Sequence, residues 1–178
     1  AWKWRIRHYI NVQQVPPPRG STQRVSRHAN ARFHLGCPVL AVQQDGQVLR
    51  VSTPKGEFEF DFLIVSTGFK IDWACRPELG PIAPHVRVWK DRYTPDAGQE
   101  DVELSDSPDV GPLFEFQEKV PGACPGLERI HCFCYPATLS HGVVSGDIPA
   151  ISDGARRLAN GLASCFYRED IEYQYTEL

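Results

Sequence analysis

The 178-residue sequence contains 42% hydrophobic and 23% charged residues, a composition that indicates a folded domain and excludes an intrinsically disordered chain. Its formal net charge is −3, so it does not belong to the strongly basic class of nucleic-acid-binding domains. No apolar run reaches the roughly 18 residues that a membrane span requires, and no apolar leader follows Ala1. We therefore expect a cytoplasmic protein with no membrane partner.

The basic residues are concentrated at the beginning of the chain, where residues 1–12 have the pattern of a helix. Up to residue 44 there is no acidic residue, and the Lys and Arg residues are Lys3, Arg5, Arg7, Arg19, Arg24, Arg27 and Arg32. With Trp2, Trp4 and Tyr9 nearby, this arm has residues that can contact phosphates and stack on bases. The alternative is a helix face that docks on the acidic remainder of the chain. The acidic overall balance favours docking, so we expect no nucleic-acid partner.

A proline-rich break at residues 16–20 precedes a short helix that Ser21 is predicted to cap. Beyond residue 33 the pattern predicts strands. Asp45-Gly46 stands between two apolar runs and predicts a tight hairpin with positive φ at both turn residues. A second turn at residues 54–56 leads into an alternating segment, Glu57 to Phe60. Three successive antiparallel strands form a β-meander.

The next segment, residues 62–65, is continuously apolar (Phe-Leu-Ile-Val) and predicts a strand covered on both faces. It ends at Ser66-Thr67-Gly68-Phe69. In open α/β sheets, ligands bind at the carboxyl ends of such strands, and a glycine there allows a ligand to approach the backbone. Thr67 and Gly68 are therefore candidate cofactor-binding residues. An ordinary strand-to-loop turn explains the same tetrapeptide equally well.

Residues 96–109 contain six acids and no base, which predicts an exposed loop. Short strands are predicted around residues 114–120 and over residues 128–135. On the second of these, Cys132 and Cys134 share one face, because residues two apart on a strand point the same way. Their spacing fits a pair of buried thiols better than a zinc site, which normally has wider spacing and a second ligand pair. We therefore predict no metal site.

The last predicted element is a helix over residues 149–166, with Pro149 in its first turn. Its apolar stripe comprises Ile151, Ala155, Leu158, Ala159, Leu162, Ala163 and Phe166. Gly146 and Asp147 stand just before this helix. A helix N-terminus has free N–H groups and a partial positive charge, so these two residues are candidates for contact with a ribityl or diphosphate group. The alternative for Asp147 is helix capping alone.

Catalytic motifs of other enzyme classes are missing from the sequence. Ser140 and His141 are adjacent, so their side chains diverge, and there is no G-x-S-x-G nucleophile elbow. The sequence also contains neither G-x-G-x-x-G nor a Walker loop. No catalytic residue is predicted.

Two segments carry a family resemblance. The first runs from Phe62 to Phe69, after the meander; the second comprises residues 137–142 and 145–155. Together they resemble the flavoproteins with two dinucleotide-binding domains, and most of all the flavin-containing monooxygenases and related FAD/NAD(P)-binding oxidoreductases. The resemblance covers residues 20–170. It implies an α/β chain with part of a Rossmann-like fold, a three-stranded meander and a C-terminal helix.

The resemblance further implies that residues 1–68 form the tail of an NAD(P)-binding domain and residues 69–178 the return segment of an FAD-binding domain. Thr67, Gly68, Gly146 and Asp147 are then the cofactor-binding residues. The implied activity is hydride transfer from NAD(P)H to flavin, with a small-molecule substrate in the intact enzyme. Since the glycine-rich loops of that family are not in this sequence, we expect that the chain alone does not retain FAD. The alternative is a non-enzymatic binding module that has lost the cofactor. An uncovered apolar strand predicts a homo-oligomer.

Overall fold

The computed structural model describes residues 1–13, 19–148 and 150–176. The chain forms two compact units. The smaller unit is Ile10–Gly68, and the larger unit combines Ala1–Tyr9 with Phe69–Leu178. Residues 1–9 thus group with the second half of the chain. The assignment of residues 1–68 and 69–178 to NAD(P) and FAD domains stays a prediction.

The helices of the described chain begin near the predicted positions but differ in their ends. They are α1 (Trp2–Gln13), α2 (Arg19–Ser26), α3 (Val102–Asp106), α4 (Thr138–His141) and α5 (Ile151–Thr176). Short 3-10 turns occupy Trp73–Cys75, Pro77–Leu79, Ala83–His85, Trp89–Asp91, Leu127–Arg129, Tyr135–Ala137 and Gly142–Ser145. Helix α2 begins two residues before Ser21, which therefore lies inside the helix and is not its N-cap. Pro16 to Pro18 and Pro149 lie outside the described residues. Among those described, no helix has the length and apolarity needed to cross a membrane.

The predicted meander is confirmed. It consists of β1 (Ala41–Asp45), β2 (Val48–Thr53) and β3 (Gly56–Phe60), antiparallel in the order β1-β2-β3. The first turn differs from the prediction by one residue, because Asp45 pairs with Val48 and the two-residue loop is Gly46-Gln47. Gly46 has a φ of 62°. A hairpin turn with glycine at its first central position needs positive φ only there, so Asp45 remains in the strand.

The predicted strand at residues 62–65 does not form. These residues are outside any ladder, and Phe62 and Ile64 are each 87% exposed. A strand requires backbone partners on at least one side, and the described residues place no other strand beside this segment. The segment is apolar, as predicted, but the described residues provide no neighbouring strand that would cover its side chains.

The larger unit has a core without a regular sheet. Its buried members are Val86, Val110, Phe114, Phe116, Leu127, Cys132 and Ala137. The strands predicted over residues 114–120 and 128–135 are replaced by isolated bridges, of which Val110 with Phe116 and Glu115 with His131 are two. The 3-10 turns at Leu127–Arg129 and Tyr135–Ala137 interrupt the extended backbone on both sides of Cys132, so no continuous ladder forms.

The acidic segment 96–109 is not the exposed loop that its composition predicted. Helix α3 forms within it, and the Asp101 carboxylate caps this helix by accepting a hydrogen bond from the Leu104 N–H at 3.0 Å. Arg7 of α1 forms ion pairs with Asp101 and Glu103. Asp101 and Glu103 therefore act as counterions for Arg7, and Arg7 docks on the acidic part of the chain, which is the second of the two alternatives for the basic arm.

Helix α5 extends ten residues beyond its predicted end, and of the predicted stripe only Leu158 and Leu162 lie on the side that packs. Gly154 is buried, and Gly161, Leu158 and Leu162 are partly buried on the same side. A Cβ atom on Gly154 would lie 2.1 Å from the Val144 carbonyl oxygen, and one on Gly161 would lie 2.2 Å from Leu113 Cδ2. The two glycines allow the helix to approach the core closely. Most of the predicted stripe, comprising Ile151, Ala155, Ala159, Ala163 and Phe166, is consequently exposed.

Substitution of Gly154 tests this close approach. We expect Gly154→Ala to lower the free energy of unfolding by about 1–3 kcal/mol, because a methyl group forced against a backbone carbonyl requires backbone movement. Gly161→Ala should have a smaller effect, since the Leu113 side chain can rotate away. Gly20→Ala is the control: its added Cβ meets no atom within 4 Å, so the better helix propensity of alanine should stabilise α2 slightly. Urea unfolding followed by circular dichroism measures all three, and an unchanged Gly154→Ala midpoint would refute the packing.

Self-association is the expected consequence of the uncovered segment at residues 62–65. Burial of a large apolar side chain is worth about 1.5–3 kcal/mol, so a second copy that covers Phe62 and Ile64 is stabilising. Light scattering after size-exclusion chromatography should show more than the 20.0 kDa of one chain, and the Phe62→Ser/Ile64→Ser double variant should shift towards monomer. Val102→Ser, at an exposed apolar position of the larger unit, is the control. A wild-type chain that stays monomeric at high concentration contradicts the prediction.

Candidate functional site

The predicted residues Gly146 and Asp147 form a closed turn ahead of α5. The backbone N–H groups of both residues donate to the Val143 carbonyl, at 3.2 and 3.0 Å. The Asp147 carbonyl accepts the Ile151 N–H at 2.8 Å, so it is the backbone of Asp147 that satisfies the start of the helix. Residues 148–150 separate Asp147 from the helix, contrary to the prediction that the pair directly precedes it. The carboxylate-bearing residue itself is exposed.

The N–H groups expected to attract an anion at the start of α5 are largely used within the chain. Besides Ile151, the N–H groups of Asp153 and Gly154 donate to the Ala150 carbonyl, at 3.1 and 3.4 Å. A donor already paired in this way must exchange a bond in order to bind a ligand. The prediction of a free helix N-terminus was therefore wrong for these donors.

Thr67 and Gly68 lie in the smaller unit, whereas Gly146 and Asp147 lie in the larger one, so each pair is described by itself. Both Thr67 and Gly68 are exposed. Gly68 has a φ of 87° in open space, a conformation in which any residue with a side chain would be strained. A glycine is thus required by the backbone here. The roles of all four residues in cofactor binding stay predictions.

A second site, which the sequence did not reveal, surrounds an open cavity of about 500 Å³ in the larger unit. We refer to Arg87, Arg92, Arg157, His141 and Asp109 as the arginine cluster; all five line this cavity. Asp109 is only 3% exposed. Its Oδ2 lies 2.8 Å from Arg87 Nε and 3.2 Å from Arg92 Nη1. Three guanidinium groups against one carboxylate give the cavity a positive charge.

The hydrogen bonds of His141 determine its tautomer. Arg157 Nη2 donates to His141 Nδ1 at 2.8 Å, and a guanidinium has no acceptor, so Nδ1 carries no proton. The proton is on Nε2, which donates to the Gly111 carbonyl at 2.8 Å. Burial is the main cause that lowers the pKa of His141, and the charge of Arg157 lowers it further. The imidazole is therefore neutral at pH 7 and orients Arg157.

Phe114 supports this cluster from the core side. It is fully buried and has a φ of 67°, the only positive φ of a non-glycine residue in the described part of the chain. The Arg157 guanidinium carbon lies 4.6 Å from the Phe114 ring centroid, and the His141 ring stands edge-on to it with centroids 4.6 Å apart. Backbone strain of this kind costs on the order of 1–3 kcal/mol and persists only where the surroundings impose it.

The cluster can bind and orient an anionic ligand, because each arginine offers several N–H donors in a fixed plane. The two side chains of the cluster that could accept a proton are engaged within it: His141 Nδ1 accepts from Arg157, and the Asp109 carboxylate pairs with Arg87 and Arg92. No sequence motif indicated this site, because Arg157 lies far along the chain from Arg87 and Arg92 and the three match no local pattern.

Cys132 and Cys134 point together, as predicted. Their Sγ atoms are 3.6 Å apart, and Cys132 is buried in the core of the larger unit. In the described residues, no group of three or more His, Cys, Asp or Glu side chains is arranged to hold a metal ion.

One curated relative is similar to almost the whole chain. The chain is 32% identical over 170 residues to the FAD-dependent urate hydroxylase of Xanthomonas campestris pv. campestris. The alignment includes 96% of this chain but only 36% of the relative, so the chain spans about a third of the length of the protein it matches. No family model matches the chain, and no solved structure matches it.

Acid should destabilise the fold through His141. Its folded-state pKa lies below the ordinary value of about 6.5, so its contribution to stability is present above pH ~6.5 and decreases as the pH falls towards the folded-state pKa. Between pH 7.5 and 5.5 the urea midpoint of His141→Gln should fall less than that of wild type, since glutamine can still donate to Gly111. His28→Gln, at an exposed position, is the control. Equal acid sensitivity of wild type and His141→Gln would contradict the assigned tautomer.

Proposed function

We propose that this chain is a segment of an FAD-dependent oxidoreductase that hydroxylates a small molecule, with hydride supplied to the flavin by NAD(P)H. The observation that carries the proposal is the 32% identity to an FAD-dependent hydroxylase over nearly all of the chain. The same proposal includes the finer expectations from sequence, namely a flavin-containing-monooxygenase-like type and a Rossmann-like arrangement in the intact protein.

We propose that this chain does not bind FAD by itself. The N–H groups of Gly146 and Asp147 are bonded to Val143, and the sequence contains no glycine-rich phosphate loop. The Ser145 hydroxyl is buried without a hydrogen-bond partner among the described residues, but one hydroxyl cannot replace a diphosphate cradle. We therefore assign no reaction step to a flavin on this chain. Its proposed contribution is a surface that completes a site in the intact enzyme.

The arginine cluster is the part of the chain that we propose to contact the substrate. Urate, the compound in the relative's name, is an anion at neutral pH, and a cavity lined by Arg87, Arg92 and Arg157 favours a ligand of that charge. The arginines are held in place by Asp109 and His141, so part of the entropic cost of ordering them is met before the ligand binds.

A chimera tests the proposed function. The matched third of the Xanthomonas hydroxylase is replaced by this chain, and the purified protein is examined for flavin absorbance and NAD(P)H-dependent turnover. We expect the chimera to retain FAD and the isolated chain to lack it, since a helix N-terminus supplies at most ~2 kcal/mol towards the roughly −8 kcal/mol of micromolar affinity.

Within the chimera, Asp147→Ala should reduce flavin retention more than Asp153→Ala. The backbone bond from Ile151 to the Asp147 carbonyl survives both changes, so the comparison isolates the Asp147 carboxylate. Asp153 is a suitable control because it is exposed and its nearest cation is Arg156, 3.6 Å away on the same helix. A chimera that folds but binds no flavin contradicts the proposed function. Equal retention in the two variants assigns Asp147 to helix capping alone.

A further inference from the structure

Cys132 and Cys134 lie beside a cavity of about 240 Å³ in the larger unit. The cavity has apolar walls that include Phe69, Trp73 and Phe116. Its charged residues are Lys70 and Asp72, which pair with each other, and Arg76, which acts on Cys134. Cys132 is 7% exposed, whereas Cys134 is only half-buried. The pair is thus one protected thiol and one accessible thiol, not two equivalent core residues.

The surroundings shift the pKa values of the two thiols in opposite directions. A hydrogen bond from Cys132 lowers the pKa of Cys134 to about 6, and the charge of Arg76 acts in the same direction while burial opposes it. The pKa of Cys132 is raised, because its S–H donates to Cys134 and because it is buried. Arg76 is itself held by Glu78, whose Oε1 lies 2.5 Å from Arg76 Nε. At pH 7 Cys134 is the thiolate and Cys132 the thiol.

We propose that Cys132 and Cys134 form a dithiol site that hydroperoxides oxidise to an intramolecular disulfide. The 3.6 Å between the sulfur atoms must shorten to the ~2.05 Å of a disulfide bond, which side-chain rotation and a local backbone shift can accomplish. The cavity is large enough to admit hydrogen peroxide, and both thiols line it together with Arg76. This site requires neither flavin nor the arginine cluster.

The oxidation has two balanced steps. The Cys134 thiolate attacks one oxygen of hydrogen peroxide, the O–O bond breaks, and the departing hydroxide takes a proton to become water, leaving a sulfenic acid on Cys134. The Cys132 sulfur then attacks the Cys134 sulfur as its proton passes to the departing hydroxide, the S–O bond breaks, and a second water leaves. Two thiols and one peroxide give one disulfide and two waters, and the sulfur pair loses two electrons. Arg76 stabilises the thiolate before the first step.

The experiment uses the full chain, reduced and then exposed to stoichiometric hydrogen peroxide at pH 7. Free thiols are alkylated, and peptides are analysed by mass spectrometry without reduction. We expect a disulfide between Cys132 and Cys134 that dithiothreitol reverses. Cys132→Ser should stop at a sulfenic acid on Cys134 that dimedone traps, and Cys134→Ser should form neither product. Cys165→Ser, at an exposed position, should behave as wild type.

The rate of reaction with hydrogen peroxide distinguishes a specific dithiol site from nonspecific thiol oxidation. An ordinary thiol has only a few per cent thiolate at pH 7, so Cys134 should react at least about tenfold faster than N-acetylcysteine. Arg76→Gln should reduce that advantage and Arg76→Lys should retain more of it, because the charge of residue 76 adds to the hydrogen bond from Cys132 in lowering the pKa of Cys134. Circular dichroism of each variant confirms folding. The proposal is overturned if Cys134 reacts no faster than N-acetylcysteine, or if the wild-type disulfide joins Cys75, which lines the same cavity, to either thiol.

Discussion

The larger unit depends on the burial of Phe114. Its ring contacts Phe133, His141 and Arg157, and its carbonyl accepts the Cys132 N–H at 2.7 Å. One residue thus connects the core, the segment with the two cysteines, helix α5 and the arginine cluster. Its positive φ allows the ring to contact one set of neighbours while the carbonyl accepts a hydrogen bond from another. The strain is tolerated because many contacts would be lost if the backbone relaxed.

Charge pairing is the second constraint, and it explains why an acidic segment becomes part of the fold. A buried carboxylate such as Asp109 is stable only when cations and hydrogen bonds replace its hydration. Arg87 and Arg92 provide those cations, and Arg7 provides one for Asp101 and Glu103. The same pairing fixes two arginines beside an open cavity. A structural requirement of the core therefore also creates the positive surface that we propose as the substrate contact.

The described residues form parts of a functional site more clearly than they form a complete functional site. The turn at Gly146 and Asp147 is closed by its own hydrogen bonds, and the apolar residues Phe62 and Ile64 are uncovered. Both features are compatible with the proposal of a longer enzyme, and the alignment covers only 36% of the relative. The dithiol site differs in this respect, because its thiols, its cavity and its arginine all come from the larger unit.

Local patterns in the sequence were sufficient to predict several secondary-structure elements. Helix α1, the three strands of the meander and the existence of α5 follow from residue periodicity and turn chemistry, and the shared direction of Cys132 and Cys134 follows from their spacing. Tertiary packing, by contrast, determined which apolar surfaces became buried. It left Phe62 without a partner strand. It packed α5 through Gly154 and Gly161 together with Leu158, because the two glycines allow the helix backbone to approach the core closely. It also assembled the arginine cluster, since long-range charge pairing joins residues whose separation in the chain gives no local signal.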